Sequence, residues 1–452
     1  MAKKRPYQRP EIKRLTPRHM GKHRVTDVAL SSKWPDENID YKALMAEFGS
    51  PLFLLSEQKL RQQYQSFMET FTAPGIDTVV GYSYKTNYLK AVCAIMHDEG
   101  AWAEVVSGME YALARSLGVP GEKIIFNGPY KSRDELERAV QDGALINVDG
   151  FDELNALISV AKAVGKKARL GLRINFKYGA QPWTKFGFSS DTGQVRAALK
   201  DVKANEKYLN LEALHNHSGT FQVDPKIYGQ AVTVLTKVAK QARNLGLEPT
   251  TIDLGGGYPS GNQLKPDFDV VGGSNAKERP LARFSEEIMG KVAKAKKVLG
   301  KRPRVIFEPG RSVVDATMQL ACSVVAVKDI PDRGPAAVVD AGVNIIPTAY
   351  WYDHDIKVID DTPEGDLRPV SLFGPLCMQI DVLRDRILLP PLDVGSQLVV
   401  SNVGAYCITQ SMQFIQPRPA AVMLGANGPE LIRRAETWEH VFDLDVVPKG
   451  LS

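Results

Sequence analysis

Cysteine and histidine are scarce in this sequence, with four cysteines and seven histidines in 452 residues. The cysteines (Cys93, Cys322, Cys377 and Cys407) lie far apart and form no C-x-x-C pair, so the sequence indicates neither a disulfide framework nor a cysteine-rich zinc site. The histidines form no H-E-x-x-H motif. We therefore expect no metal site, and we expect the protein to work in the reducing cytoplasm.

Long apolar runs and a large net charge are also lacking. No segment approaches the roughly 20 uninterrupted apolar residues that cross a bilayer, so no membrane span is predicted. The formal net charge is +5, concentrated in residues 1–24, which hold nine lysines and arginines and one glutamate. The rest of the chain is slightly acidic, which argues against nucleic-acid binding by the folded body. Residues 1–24 lack the apolar core of a secretory signal and are expected to form a flexible basic arm, either solvated or docked on an acidic surface.

The composition, 44% hydrophobic and 24% charged, is that of an ordinary globular protein. From about residue 78 to 310, short apolar runs alternate with amphipathic stretches. In the helix candidate 228–246, Leu235, Val238, Ala242 and Leu245 fall on one face. The strand candidates cover residues 78–84, 101–107, 123–128, 145–149, 168–175, 211–218, 250–257 and 304–310. Eight such units indicate an α/β fold of the TIM (β/α)8 barrel type rather than an open doubly wound sheet.

The pattern of apolar residues changes after residue 310. Short strand-like runs separated by proline, glycine and aspartate replace the helical period, which predicts a C-terminal all-β sandwich or barrel domain over residues 311–452. We expect residues 25–50 to add a strand to this β domain and residues 51–310 to form the barrel.

Polar residues crowd the carboxyl ends of the barrel strands, where barrel enzymes carry their active sites. Lys85 directly follows the first strand, so burial is expected to depress the pKa of its amine and favour Schiff-base formation. His217 follows the sixth strand, and three consecutive glycines, residues 255–257, follow the seventh, where their backbone N–H groups can approach a phosphate. Glu308 and Arg311 follow the eighth strand. An amine, a phosphate cradle, an imidazole and a carboxylate are together what pyridoxal phosphate requires.

These segments resemble the fold-type III pyridoxal-phosphate decarboxylases, the group that holds diaminopimelate, ornithine and some arginine decarboxylases. YSYKTN (82–87) resembles that family's Y-x-x-K-x-N, and AEVVSGME (103–110) resembles its next strand motif, with Glu104 where an aspartate is usual. LHNHSGT (214–220) resembles H-x-H-I-G-S, and both LGGGYP and EPGRS match closely. GPLCMQID (374–381) resembles the segment that carries the catalytic cysteine. The resemblance runs from about residue 40 to 445.

The resemblance implies a role for each of these positions. It makes Lys85 the Schiff-base lysine, stacks His217 on the cofactor ring, sets Glu308 at the pyridine nitrogen and gives Cys377 the role of proton donor to the α-carbon. Because the cysteine segment enters the partner subunit's site in this family, a homodimer with shared active sites is implied. His215 is expected to be a structural histidine. The implied cofactor-binding set is Lys85, Glu104, Arg173, His217, Thr220, Gly255, Gly256, Gly257, Glu308, Gly310, Arg311 and Tyr406.

Two positions depart from the diaminopimelate decarboxylase pattern. Met378 stands where that enzyme has the glutamate that holds the distal ammonium group, and Ile346 stands where it has the arginine that holds the distal carboxylate. An unpaired buried charge costs roughly several kcal/mol, so these changes argue against plain meso-diaminopimelate. WYDHD (351–355) resembles a motif whose aspartate meets a distal amine in ornithine decarboxylases. The candidate substrate residues are Arg311, Tyr350, Asp353 and Met378.

The predicted activity is α-decarboxylation of a basic or conjugated amino acid, through a quinonoid intermediate on pyridoxal phosphate. Three alternatives remain: a true diaminopimelate decarboxylase of lysine biosynthesis, a fold-type III racemase, and a catalytically silent homologue that binds partner proteins. Glu308 favours decarboxylation, because the related alanine racemases set an arginine against the pyridine nitrogen. The presence of Lys85, Glu308 and Cys377 together argues against a silent homologue.

Overall fold

The computed structural model describes residues 39–178, 185–265, 281–331, 333–359 and 367–451. The expected basic arm, residues 1–24, lies outside these ranges. The described chain opens with helix α1 (Tyr41–Phe48), strand β1 (Leu52–Ser56) and helix α2 (Glu57–Phe71). Within the described ranges, no helix combines the length and the apolar character that a membrane span needs.

A closed barrel of eight parallel strands follows, which confirms the expected (β/α)8 architecture. The elements are β2 (Asp77–Ser83), α3 (Lys90–Asp98), β3 (Trp102–Val105), α4 (Gly108–Ser116), β4 (Ile124–Phe126), α5 (Arg133–Asp142), β5 (Leu145–Val148), α6 (Phe151–Val164), β6 (Ala168–Asn175), β7 (Phe188–Ser189), α7 (Gln194–Ala204), β8 (Leu209–His215), α8 (Lys226–Arg243), β9 (Thr251–Asp253), β10 (Gln263–Leu264), α9 (Leu281–Leu299) and β11 (Arg304–Phe307). The barrel strands lie in the order β5-β4-β3-β2-β11-β9-β8-β6, and pairing of β5 with β6 closes the ring.

The barrel helices pack their apolar faces on the strands. On α8, Leu235, Val238 and Ala242 are buried as the helical period predicts, whereas Leu245 lies just beyond the end of the helix and is half-buried. Burial of each such aliphatic side chain contributes about 1.5–3 kcal/mol of transfer free energy. This packing fixes the strand ends from which the functional side chains project.

The second unit is mostly β-sheet, as predicted. The elements are α10 (Arg311–Val314), β12 (Met318–Ile330), β13 (Gly334–Val339), β14 (Tyr352–Asp353), β15 (Ile356–Val358), β16 (Arg368–Phe373), β17 (Val382–Leu389), β18 (Gln397–Ser401), β19 (Ala420–Gly425), β20 (Gly428–Arg433) and α11 (Trp438–Phe442). The main sheet runs β17-β16-β13-β12-β1-β19-β20, with β18 pairing to both β12 and β15.

The part of residues 25–50 that the structure describes contains no strand, and residues 25–38 lie outside the described ranges, so the expected strand there stays a prediction. Residues 41–48 form helix α1, whose Asp40 side chain accepts a hydrogen bond from the Ala43 amide at 2.9 Å and so caps the first turn. The described strand that joins the β-sheet is β1, which pairs with β12 and β19. Because the apolar run of β1 leads directly into a helix, its sequence is indistinguishable from a barrel unit.

Candidate active site

The carboxyl ends of the barrel strands surround a cavity of about 250 Å³. Parallel pairing sets Ser83 opposite Glu104 and His215 opposite Asp253, so these polar side chains lie at one level of the barrel. Polar groups and ring faces converge there in the arrangement typical of a ligand site. The lining includes Lys85, Glu104, Asn127, Arg173, Phe186, His215, His217 and Glu308.

Lys85 lies in a short 3-10 turn directly after β2. Its Nζ donates to Glu104 Oε2 at 2.5 Å and to Ser83 Oγ at 2.8 Å, and 34% of its side chain is exposed to the cavity. Burial acts to lower the pKa of Lys85, but the Glu104 and Glu308 carboxyl groups outweigh it and the net pKa is raised. The expected depression is therefore wrong, because the sequence does not show that a carboxylate meets the amine. Glu104 is positioned to take the proton that the ammonium must lose before it can attack a carbonyl carbon.

Glu308 follows β11 and is 2% exposed. Asn127 Nδ2 donates to Glu308 Oε1 at 2.6 Å and to Glu104 Oε1 at 2.8 Å, so one amide joins the two carboxyl groups. Burial raises the pKa of Glu308 well above its ordinary value, and the neighbouring Asp253 and Glu104 raise it further. The Lys85 charge and the Asn127 hydrogen bond lower the pKa of Glu308, but the net shift is upward and favours the protonated form.

A second, smaller cavity adjoins the first and shares Lys85, His217 and Glu308 with it. Its backbone is tightly packed: a Cβ on Gly257 would lie 2.0 Å from the Gly219 carbonyl oxygen, and one on Gly310 would lie 2.0 Å from Thr86 Oγ1. The Gly257 N–H donates to no group among the described residues. By contrast, the Gly255 N–H donates to Asp253 and the Gly256 N–H donates to His217 Nδ1, both at 3.0 Å. The lining includes Lys85, Thr220, Gly256, Gly257, Gly310, Arg311 and Tyr406.

The Arg311 guanidinium supplies the charge of this smaller cavity. It is 7% exposed, and its Cζ lies 4.7 Å from the Tyr352 ring centroid and 4.9 Å from that of Tyr406. Nη1 lies 3.9 Å from Asp315 Oδ2 and makes no hydrogen bond within the described residues. A buried cation with an unused donor, beside an unused glycine amide, fits a phosphate group.

His217 and Arg173 border the ring-sized cavity. Burial lowers the pKa of His217 well below its ordinary value, and Arg173 and Lys85 lower it further, so the imidazole is neutral. Because its Nδ1 accepts the Gly256 amide, the ring proton sits on Nε2. Arg173 lies 4.2 Å from the Phe186 ring and pairs with Asp149 at 3.2 Å.

Five predicted positions line neither cavity, and the first is Gly255, whose N–H is used by Asp253. Cys377 is exposed, Met378 is half-buried and Tyr350 is 47% exposed. The Asp353 carboxylate lies 3.8 Å from Arg384 Nε. Successive side chains of a strand point in opposite directions, so on β14 it is Tyr352 that faces Arg311. Cys377 and the substrate residues remain predictions.

Asn127, Asp253 and Tyr352 belong to the site but were missed from the sequence. Asn127 and Asp253 occupy the carboxyl ends of β4 and β9, as Glu308 does for β11. Their position at the end of a predicted strand is the sequence feature that could have identified them. Each interrupts an apolar run at the level where the barrel opens.

The donor set fits pyridoxal phosphate: an amine, a protonatable carboxyl group, a neutral imidazole and an anion cradle share two adjoining cavities. When bound, this cofactor supplies an electron-withdrawing ring that takes up the electrons released at a substrate's α-carbon. Residues 57–315 match the family model described as "Pyridoxal-dependent decarboxylase, pyridoxal binding domain".

Similar proteins agree with this match. The chain is 28% identical to a diaminopimelate decarboxylase of Methanocaldococcus jannaschii, covering 92% of this chain and 95% of the relative. It is 29% identical to one of Aquifex aeolicus, covering 90% and 94%. Among solved structures, M. jannaschii diaminopimelate decarboxylase in complex with L-lysine superposes with a TM-score of 0.80 at 29% identity, covering 90% of this chain and 94% of that one. The chain belongs to the pyridoxal-dependent decarboxylases.

Proposed function

We propose that this pyridoxal-dependent decarboxylase removes the α-carboxyl group of meso-diaminopimelate. The substrate is the one named for several relatives that align over nearly their whole length. The observation that carries the reaction type is the buried Glu308 carboxyl group, which shares one cavity with the Lys85 amine. A carboxyl group at the ring nitrogen keeps that nitrogen protonated and so favours loss of CO₂ over simple proton exchange.

Each site residue has a separate role in the proposed reaction. Lys85 binds the cofactor aldehyde, and Glu104 accepts the proton that Lys85 gives up. Glu308 holds a proton at the ring nitrogen, while the neutral His217 packs on the ring without adding a second positive charge. Four groups hold the phosphate and so fix the ring in place: the Gly257 amide, Thr220, Arg311 and Tyr406.

A second substrate class is favoured by two side chains. Met378 and Ile346 are apolar, and Ile346 is fully buried among core residues. Neither can pair with the charged distal end of meso-diaminopimelate. An amino acid with a single distal amine or a conjugated side chain would leave fewer charges unpaired. Asp353 is a weaker partner for that amine than the sequence suggests, because its carboxylate lies beside Arg384.

The site also requires a second copy of the chain in this proposal. Cys377, the proposed proton donor to the α-carbon, is exposed and lines neither cavity of its own chain. Large apolar side chains near the C-terminus are exposed as well, including Trp438 at 68% and Leu444 at 91%. Exposed apolar surface of this extent is typical of an interface. A homodimer would cover it and bring Cys377 to the partner's cavity.

Side-by-side steady-state kinetics test the substrate. CO₂ release is measured with meso-diaminopimelate, ornithine, lysine and conjugated amino acids, using wild-type protein and the Met378→Glu variant. The proposal predicts the highest kcat/KM for meso-diaminopimelate. A preference of about tenfold or more for another amino acid, about 1.4 kcal/mol, would favour the second class. In that case Met378→Glu should shift the preference toward meso-diaminopimelate, because it restores a partner for the distal ammonium group.

A further inference from the structure

Asp253 is a buried carboxyl group that the proposed reaction does not use. It ends strand β9, is fully buried and lies beside Glu308. One ring nitrogen of His215 and one carboxyl oxygen each of Asp253 and Glu308 all lie within 4.8 Å of one another. Its Oδ1 accepts the Gly255 amide at 3.0 Å and its Oδ2 accepts Asn147 Nδ2 at 3.1 Å. The site therefore contains two adjacent carboxyl groups, of which only one faces the cavity.

Cations balance this pair only in part, because Lys85 lowers the pKa of Glu308 but pairs with a different carboxyl group. Lys85 pairs with Glu104 at 2.5 Å and Arg173 pairs with Asp149 at 3.2 Å. Within the described ranges, neither cation forms an ion pair of 4.0 Å or shorter with Asp253 or Glu308. Two adjacent buried carboxylates without a directly paired cation repel each other, so we expect this pair to keep one proton.

The other titratable groups around Asp253 and Glu308 do not change the expectation that the pair keeps one proton. His215 Nε2 lies 3.8 Å from Glu308 Oε2, but burial lowers the pKa of His215 well below its ordinary value, so the imidazole is neutral. Burial raises the pKa of Asp253 to about 7 and that of Glu308 well above its ordinary value. The groups that face the pair are Glu104 on β3, Lys85 after β2, Arg173 on β6, His215 and His217 on and after β8, and Tyr258 after β9.

We propose that Asp253 keeps a proton on Glu308 before the cofactor binds, and that this proton passes to the ring nitrogen of the cofactor on binding. The O–H bond of Glu308 breaks, an N–H bond forms on the ring, and Glu308 becomes the carboxylate that pairs with it. Asp253 is a positioning residue, because it acts through Glu308 and does not line either cavity. The inference rests on the proposed cofactor chemistry.

The Asp253→Asn variant separates this role from a packing role. An asparagine has the same shape, can accept the Gly255 amide and can donate to Glu308. It no longer accepts the Asn147 Nδ2 hydrogen, but Asn147 Nδ2 keeps its hydrogen bond to Asn127 Oδ1 at 2.8 Å. Burial and Glu104 still raise the pKa of Glu308 in this variant. Without the adjacent negative charge, and with amide donors from Asn127 and from the new side chain, that pKa should fall and more of Glu308 should be ionised before the cofactor binds. Where Glu308 is ionised, the ring nitrogen must take its proton from solvent.

Calorimetry in buffers of different ionisation enthalpy counts the protons taken up when pyridoxal phosphate binds at about pH 8. The protons exchanged when the cofactor's aldehyde and phosphate bind are the same in wild type and in the variants, so they cancel when the proton counts are compared. We expect Asp253→Asn to take up measurably more protons per bound cofactor than wild type, with one proton as the upper bound. The control is Asp340→Asn, which removes another half-buried carboxyl group, bonded to Ser50 and Ser323, and should match wild type. Equal proton counts for wild type and Asp253→Asn would overturn the inference.

A second measurement needs no Asp253 variant. Infrared difference spectra of wild type should lose the C=O stretch of a protonated carboxyl group when the cofactor binds, and Glu308→Gln should show no such loss. A stretch that persists in wild type would overturn the inference. Calorimetry also separates the two proposals: absence of cofactor binding by wild type contradicts the proposed function, whereas binding without these proton changes contradicts only the role of Asp253.

Discussion

Replacing Gly257 by alanine tests whether the backbone after β9 holds the phosphate. A Cβ there would lie 2.0 Å from the Gly219 carbonyl oxygen, and the residue has φ +91°, a conformation that L side chains rarely adopt. The neighbour is backbone, so it cannot move aside by changing rotamer. Strain of this kind costs roughly 1–3 kcal/mol. The backbone would relieve this strain by moving the Gly257 amide away from the loop that carries Thr220. The Gly257 amide and Thr220 are two of the proposed phosphate contacts.

The expected result is weaker binding of pyridoxal phosphate by roughly 10- to 100-fold, since each 1.4 kcal/mol is about tenfold in affinity. Equilibrium dialysis of the cofactor against the apoenzyme measures this directly. Gly261→Ala is the matched control, because a Cβ there meets nothing within 4 Å. If Gly257→Ala bound the cofactor as tightly as Gly261→Ala, the proposed cradle would be refuted.

Four further predictions concern the same site. Lys85→Ala should lose the visible-edge absorbance of the bound cofactor and nearly all turnover; wild-type absorbance in this variant would refute the assignment. Glu308→Gln should still bind cofactor but lower kcat by orders of magnitude, and an unchanged kcat would show that another group holds the ring nitrogen. Mixed Lys85→Ala and Cys377→Ala proteins should recover about a quarter of wild-type activity if sites are shared, because half of random dimers would carry one intact site; no recovery after proven subunit exchange would place both residues in one chain's site. Finally, because the pKa of Asp253 is raised to about 7, its contribution to stability is complete below the ordinary carboxyl pKa and is lost as pH rises toward about 7. Urea unfolding of apoenzyme should therefore show wild type losing stability relative to Asp253→Asn across that window, and a constant difference would contradict it.

Local periodicity was enough to predict the barrel. Each of the eight strands is a short apolar run, and helices such as α8 show a clear apolar face, so pattern and structure agree. Local periodicity could not predict that β1 belongs to the sheet of the β domain and not to the barrel. Its residues Leu52 to Ser56 pair with β12 and β19, which lie more than 260 positions away along the chain. No local pattern encodes such a partner.

The same limit applies to the candidate site: local motifs predict its residues, but not the properties that depend on neighbouring strands. Motifs identified Lys85, His217, Glu308 and the glycines, because these lie in contiguous segments at strand ends. The charge state of Lys85 was not predictable, since it depends on Glu104 from the neighbouring strand. Asp253 was overlooked for a similar reason: its significance comes from its distance to Glu308, which only the closed barrel defines.

The most direct test of the account is CO₂ release by the holoenzyme before and after borohydride reduction, with the modified peptide identified by mass spectrometry. We predict that untreated protein releases CO₂ from an α-amino acid, that reduction abolishes the release, and that the pyridoxyl group is found on Lys85. Undiminished CO₂ release after complete reduction, or a pyridoxyl group on a different lysine, would contradict the central claim.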